Sequence, residues 1–280
     1  MSQVAILTDS SVQFTTPNFI GHEFVSIIPL TISLNGKVYK DGEGVKIYQL
    51  PIFANQELNP RVIPPTPDEF RQTFAYLWRE HNEIITIVPS AQFNPAFYNA
   101  REAATPINGY SSVQIIDSQT TTVGLGLLIQ AAAEAVANGA NSAEVIRLLR
   151  AMIPRLYTVF YVQSLTYLFF SKYIDTGQAI IGELLEITPF LLMERGRLAS
   201  IQKIRNTRHL VDATHEFLSE FNNLEYIGLI QGFPPFEHEF RVLRDRIISD
   251  FPNASFSEHT LNPTIATMIG PRSLGIVVLE

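Results

Sequence analysis

Short apolar runs that end in polar loops punctuate the first half of the chain. Val4-Ala5-Ile6-Leu7 runs into Thr8-Asp9-Ser10-Ser11, as a buried strand does where it meets a loop. Residues 24–30 read as a second strand. Residues 31–39 alternate around Asn35-Gly36, a strong hairpin signal. A helix over 67–81 follows from Pro67 in its first turn, Asp68 and Glu69 at its positive end, and Phe70, Phe74 and Leu77 on one face. Residues 84–88 are a strand. Asn94 and Pro95, as cap and first residue, open a helix to 104. Residues 113–116 form a strand that ends at Asp117-Ser118. An Ala- and Leu-rich helix over 120–136 is closed by Asn138-Gly139, and Asn141-Ser142 opens another to about 152. This alternation predicts a mostly parallel sheet covered by helices.

The second half changes rhythm. Residues 157–162, 225–231 and 274–279 read as strands, and 176–187, 206–221 and 235–250 as helices. Residues 189–193 and 198–204 flank Glu194-Arg195-Gly196 as a hairpin. The predicted fold class is α/β in two domains: an N-terminal domain, residues 1–154, and a C-terminal α/β domain, residues 155–280, divided near Pro154.

Composition narrows the chemistry. A length of 280 residues suits two domains. Apolar residues make up 46% and charged residues 17%, where about a quarter is usual. The net charge of −7 argues against a nucleic-acid partner, because an acidic protein gains nothing from counterion release. The absence of cysteine excludes disulfides, thiolate catalysis and cysteine-ligated metals. Neither a signal peptide nor a spanning segment is apparent, so the cytoplasm is the expected location. No phosphate loop, Gly-x-Ser-x-Gly elbow or His-Glu-x-x-His occurs. Gly124 and Gly126 give half of a dinucleotide fingerprint, but Ile129 stands where the third glycine belongs and all three fall inside a predicted helix. Tight helix packing is the better reading. Glu237-His238-Glu239 reads as a solvated helix start, since adjacent residues do not share a helix face. No catalytic residue, metal ligand or cofactor is assigned.

Thr8-Asp9-Ser10, Pro89-Ser90, Asn94 and Asp117-Ser118 all follow predicted strands. In an open α/β sheet such loops gather at the carboxyl edge, where ligands bind, although each residue also suits helix capping. The order of these loops resembles the DegV family, in particular its fatty acid-binding FakB type. The similar features are Thr8-Asp9-Ser10, Pro29-Leu30, Asn35-Gly36 with Tyr39 and Asp41, and Pro65-Thr66-Pro67-Asp68-Glu69-Phe70. They continue with Asp117-Ser118, the series Gly182, Pro189, Gly196 and Arg205, and Gly270-Pro271 with Leu274-Gly275. The resemblance covers nearly the whole chain. It implies two α/β domains and a buried tunnel for one long-chain fatty acid or related single-chain lipid. It also implies a carrier without its own ATP site, and as partner a separate fatty acid kinase to which some members present the carboxylate.

This chain is a divergent member by the same comparison. Val62-Ile63-Pro64-Pro65 replaces the family's head-group Thr loop, and Asn94-Pro95-Ala96 replaces its Ser-Gly-Thr turn. Ser171-Lys172-Tyr173-Ile174 replaces Gly-Gly-Arg-Ile, and Met268 takes the place of a His. Arg205 is kept and Arg272 is new. The candidate lipid-binding residues are therefore Val62, Ile63, Ser90, Asn94, Tyr173, Arg205, Met268 and Arg272, with a head group that is neutral, displaced, or held by the two arginines. The alternatives are a hydrolase or transferase at the Asp9-Ser10 edge, which lacks a His base in any strand-end loop, and a scaffold with a vestigial pocket.

Overall fold

The computed structural model describes residues 4–40, 44–105 and 112–280; Asp41 of the sequence comparison lies outside them. In chain order the described residues form β1 (Val4–Asp9), β2 (Val25–Ile28), β3 (Thr31–Leu34), β4 (Lys37–Lys40), β5 (Arg61–Ile63), α1 (Pro67–Leu77), β6 (Glu83–Val88), α2 (Ala96–Ala104), β7 (Ser112–Asp117), α3 (Thr122–Ala137) and α4 (Ser142–Met152). They continue with β8 (Leu156–Val162), α5 (Leu165–Phe170), α6 (Thr176–Leu184), β9 (Thr188–Glu194), β10 (Arg197–Ile204), α7 (Thr207–Ser219), β11 (Tyr226–Gln231), α8 (Glu237–Asp250), β12 (Ser255–Thr260), α9 (Pro263–Ile269) and β13 (Ser273–Leu279).

The described residues fall into two compact units, one within Met1–Thr31, Ile63–Arg155 and Arg195–Arg197, the other within Ile32–Val62, Leu156–Glu194 and Leu198–Glu280. A contiguous division at 154 thus misplaces residues 32–62, which belong with the second unit. The reason is long-range pairing: β5 joins β3 in a three-stranded sheet ordered β4-β3-β5, and local periodicity carries no trace of such a return.

The first unit is built on a parallel four-stranded sheet, order β2-β1-β6-β7. Strand β1 is buried along its whole length, which is why it reads as an unbroken apolar run rather than an alternating one. Helix α1 starts at a capping box in which the Thr66 hydroxyl accepts from Glu69 N–H and the Glu69 carboxylate accepts from Thr66 N–H. Its Phe70 and Phe74 pack with Ala96, Ala100 and Ala103 of α2 over Ala5, Leu7, Ile84 and Val88. Helix α3 is buried on nearly every side. Gly126 explains how closely it approaches the chain: a Cβ there would lie 2.0 Å from the Gln13 carbonyl oxygen. Gly124 and Gly126 are packing positions, as read from the sequence.

The second unit carries a six-stranded mixed sheet, order β10-β9-β8-β13-β11-β12, in which β11 and β12 are parallel and β8–β9, β8–β13 and β11–β13 are antiparallel. Leu210 and Phe217 of α7 and Leu243 and Ile247 of α8 cover one face, over Val159, Ile227, Leu229 and Ile276. The β3–β4 hairpin turns at Asn35 and Gly36, both with positive φ (53° and 72°), the geometry a type I′ turn requires. Among the described residues no helix is long and apolar enough to cross a membrane.

Candidate functional site

The carboxyl edge of the first unit's sheet gathers the polar residues singled out in the sequence. Asp9, fully buried at the end of β1, accepts at Oδ1 from Ser11 N–H (2.9 Å) and Ser11 Oγ (2.5 Å). The Ser10 hydroxyl accepts from Leu30 N–H at 2.9 Å. Beyond β6, Ser90 is also fully buried: its Oγ donates to the Gly196 carbonyl (2.7 Å) and accepts from Gln92 N–H (3.1 Å). Asn94 N–H donates to the Ser90 carbonyl at 2.8 Å, so these two candidates do come together. Asn94 Oδ1 accepts from Ala96 N–H at 2.9 Å. Helix α2 begins at Ala96 and Pro95 stands one position before it, a correction to the expectation that Pro95 is its first residue. The Asp117 carboxylate links two loops by accepting from Ala91 N–H (3.1 Å) and Gln119 N–H (2.9 Å).

The next few residues are strained. Gln119 (φ 53°) and Thr122 (φ 49°) occupy the left-handed region, which is especially unfavourable for β-branched Thr122. The Thr121 and Thr122 hydroxyls, at the start of α3, are buried with no hydrogen-bond partner among the described residues. Nothing in the sequence pattern marks this strain.

In the second unit, Arg272 precedes β13. Its guanidinium carbon lies 4.8 Å from the Phe236 ring centroid, and its Nε is buried without a hydrogen-bond partner among the described residues. Phe236 packs edge-on against Tyr161, with centroids 5.6 Å apart. Burial raises the Tyr161 pKa and disfavours its ionisation, while a hydrogen bond with Thr188 and the Arg272 charge oppose that shift. Met268 is buried in α9. Tyr173 is half-buried, and burial pushes its phenol well above the usual tyrosine range. Arg205 is exposed between β10 and α7; its N–H donates to His209 Nδ1 at 3.3 Å, and its guanidinium has no ion pair among the described residues. Val62 is half-buried and Ile63 exposed on β5.

The second unit also holds a cleft the sequence reading missed, of about 470 Å³. Phe53, Leu165 and Ile187 line it with Gln163, Thr188 and Glu183. Gln163 Oε1 is buried there without a hydrogen-bond partner among the described residues. The Tyr167 hydroxyl donates to the Pro51 carbonyl (2.5 Å), and Ala54 N–H donates to Thr166 Oγ1 (3.1 Å), tying residues 51–54 to α5. On neighbouring α6 and just beyond it, Ile180, Ile181, Leu184 and Leu185 are solvent-exposed, the last two at 78% and 65%. The available signal was the run of apolar residues at 180–185 with too few polar positions for a surface helix.

Hydroxyls and carboxylates at the sheet edge are mostly committed to backbone N–H groups, and the open features are apolar surface and a few unmatched polar atoms. Among the described residues no group of three or more His, Asp or Glu gathers that could hold a metal. The fold and these loops define a two-unit α/β protein. The chain belongs to the DegV family, whose model, described as "Uncharacterised protein, DegV family", matches residues 3–280. A DegV domain-containing protein of Caldanaerobacter subterraneus subsp. tengcongensis is 27% identical over 284 residues, with both chains covered completely. A fatty acid binding DegV family protein of Streptococcus agalactiae superposes with a TM-score of 0.87 at 19% identity, covering 100% of this chain and 99% of that one. The Streptococcus pneumoniae Fatty Acid Kinase (Fak) B3 protein loaded with linoleic acid superposes with a TM-score of 0.82 at 18% identity, covering 99% of each. The fold is the DegV fold.

Proposed function

We propose that the protein binds one long-chain fatty acid or related single-chain lipid, carries it in the cytoplasm without catalysing a reaction on it, and presents its head to a separate fatty acid kinase. The observation that carries this reading is the full-length likeness to a family protein loaded with linoleic acid. The low charged fraction of 17% agrees with a protein that keeps apolar surface for a ligand. Burial of about sixteen carbons contributes roughly 0.8 kcal/mol per methylene, on the order of 10 kcal/mol before entropic costs. The tail thus supplies affinity and a few polar groups fix the head. Arg272 suits that role, with a permanent charge and an unmatched buried N–H. A hydrolase at the Asp9-Ser10 edge is disfavoured because no His stands among residues 8–13, 89–95 or 117–121 to serve as its base.

Native mass spectrometry of the purified chain tests the reading. The expected result is one retained acyl-chain lipid per protein, or uptake of one added fatty acid after delipidation. Apo mass throughout, with no uptake of acid, alcohol or monoacylglycerol, would overturn it.

A further inference from the structure

The lipid reading makes no use of a hydroxyl–imidazole cluster at the β11–β12 end of the second unit's sheet. The two strands run parallel, with Tyr226 opposite Ser255, Gly228 opposite Ser257 and Ile230 opposite His259. Residues two apart on a strand share a face, so Ser257 and His259 stand side by side. Tyr226 leans over Gly228 to reach them: a Cβ on residue 228 would lie 3.0 Å from the Tyr226 hydroxyl. Ser257 Oγ is 2.6 Å from His259 Nε2, and the Tyr226 hydroxyl is 2.5 Å from Ser257 Oγ and 3.2 Å from the same nitrogen.

The geometry suits one arrangement of protons. Ser257 Oγ is placed to donate to Nε2 when the ring proton is on Nδ1, the tautomer in which His259 can act as a base. Burial lowers the His259 pKa, which favours this neutral form, and raises that of Tyr226 to about 12, which keeps the phenol a donor. In this tautomer Tyr226 donates to Ser257 Oγ and Ser257 donates to Nε2. Ser257 and His259 are each half-buried and reach solvent. Glu258, on the opposite face of the strand, lies 3.9 Å from Arg244 Nε and takes no part. A serine hydroxyl within hydrogen-bond reach of a neutral imidazole is the nucleophile–base pair from which an activated nucleophile is built.

We propose that Ser257 is a reactive nucleophile, with His259 as its general base and Tyr226 as a positioning residue, that accepts the acyl group of small activated esters. Ser257 Oγ bonds to the ester carbonyl carbon as its proton passes to His259 Nε2. The carbon–oxygen bond to the leaving group breaks, the alcohol departs with that proton, and an O-acylserine remains. This activity is independent of lipid carriage.

The test uses the full chain with p-nitrophenyl butyrate. The expected result is a burst of p-nitrophenol close to one equivalent, with the butyryl group mapped to Ser257 by peptide mass spectrometry. Ser257→Ala should abolish the burst. His259→Gln, checked by circular dichroism for retained fold, should slow acylation by about 100-fold, the scale of a lost general base. The wild-type mapping does not depend on any variant folding. No acylation of the wild type, or acylation confined to other residues, overturns the nucleophile; an undiminished rate in folded His259→Gln overturns the base.

Discussion

Asn94 shows how far single residues were legible. Its type and place, after a strand and before a helix, allow either a cap or a ligand contact. The structure commits one of its two functional atoms: Oδ1 accepts from Ala96 N–H at 2.9 Å, which supports the start of α2. Asn94→Ala should therefore cost about 1 kcal/mol, typical of a lost cap. That loss should be the same with and without bound fatty acid, and affinity should stay unchanged. Chemical denaturation and a lipid titration on the variant check both halves; weakened lipid binding at unchanged stability would move Asn94 into the head-group site. Ser90 was singled out as a candidate, yet its partner, the Gly196 carbonyl, lies 106 residues away in the chain, and no spacing rule reaches that far. The Ser257–His259 pair was invisible for a similar reason. Ser-x-His is unremarkable until Tyr226 and Gly228, more than 25 positions earlier, are laid beside it by strand pairing.

Elements were easiest to read where burial was strongest. The parallel strands β1, β6 and β7 announced themselves as apolar runs, and α1, α3, α4 and α7 as periodic or capped segments. Elements set by their neighbours rather than by their own pattern escaped. Strand β12 is Ser-Phe-Ser-Glu-His-Thr, a polar edge whose pairing to β11 is its only strand signal. Strand β5 has three residues, and α5 and α9 are six and seven residues long, too short for a period to show. The strand expected over 24–30 stops short, β2 ending at Ile28, because Pro29 cannot donate to a ladder, and β3 from Thr31 is the first arm of the expected hairpin. Gly124 and Gly126 were read as close packing, and Gly126 gives the sharpest check. Gly126→Ala places a methyl group 2.0 Å from a backbone oxygen that no rotamer change can move. Overpacking of this kind typically costs 1–3 kcal/mol. The midpoint of urea unfolding should fall accordingly, although alanine has the higher helix propensity; a more stable variant would show that the loop at Gln13 yields freely.

At the scale of the molecule, the sequence conveyed the α/β class and, through the order of its loops, the family. It did not convey that residues 32–62 join the second unit, nor the cleft there. The fatty-acid reading makes a sharper prediction, that the head is read by charge. Ligand that binds only the folded chain stabilises it by RT ln(1 + [L]/Kd), about 2.7 kcal/mol when free ligand exceeds Kd a hundredfold. A delipidated preparation should therefore unfold at lower temperature than one reloaded with a long-chain acid, and the difference should grow with acid concentration. Arg272 supplies the contrast. Its Nε is buried and unmatched while its guanidinium lies over Phe236, so the group is partly stripped of water with a donor to spare. A hydrogen bond to a charged partner is worth about 1.5–3 kcal/mol, or roughly tenfold or more in affinity. Arg272→Gln should weaken the acid by about that factor and leave the alcohol of the same chain length unchanged, whereas Arg205→Gln, altering a solvated side chain, should change neither. Calorimetric titration of the four variant–ligand pairs decides it. Equal losses for acid and alcohol would mean that Arg272 acts by packing on Phe236, and the head would then be sought among the uncharged groups near Gln163 and Thr188.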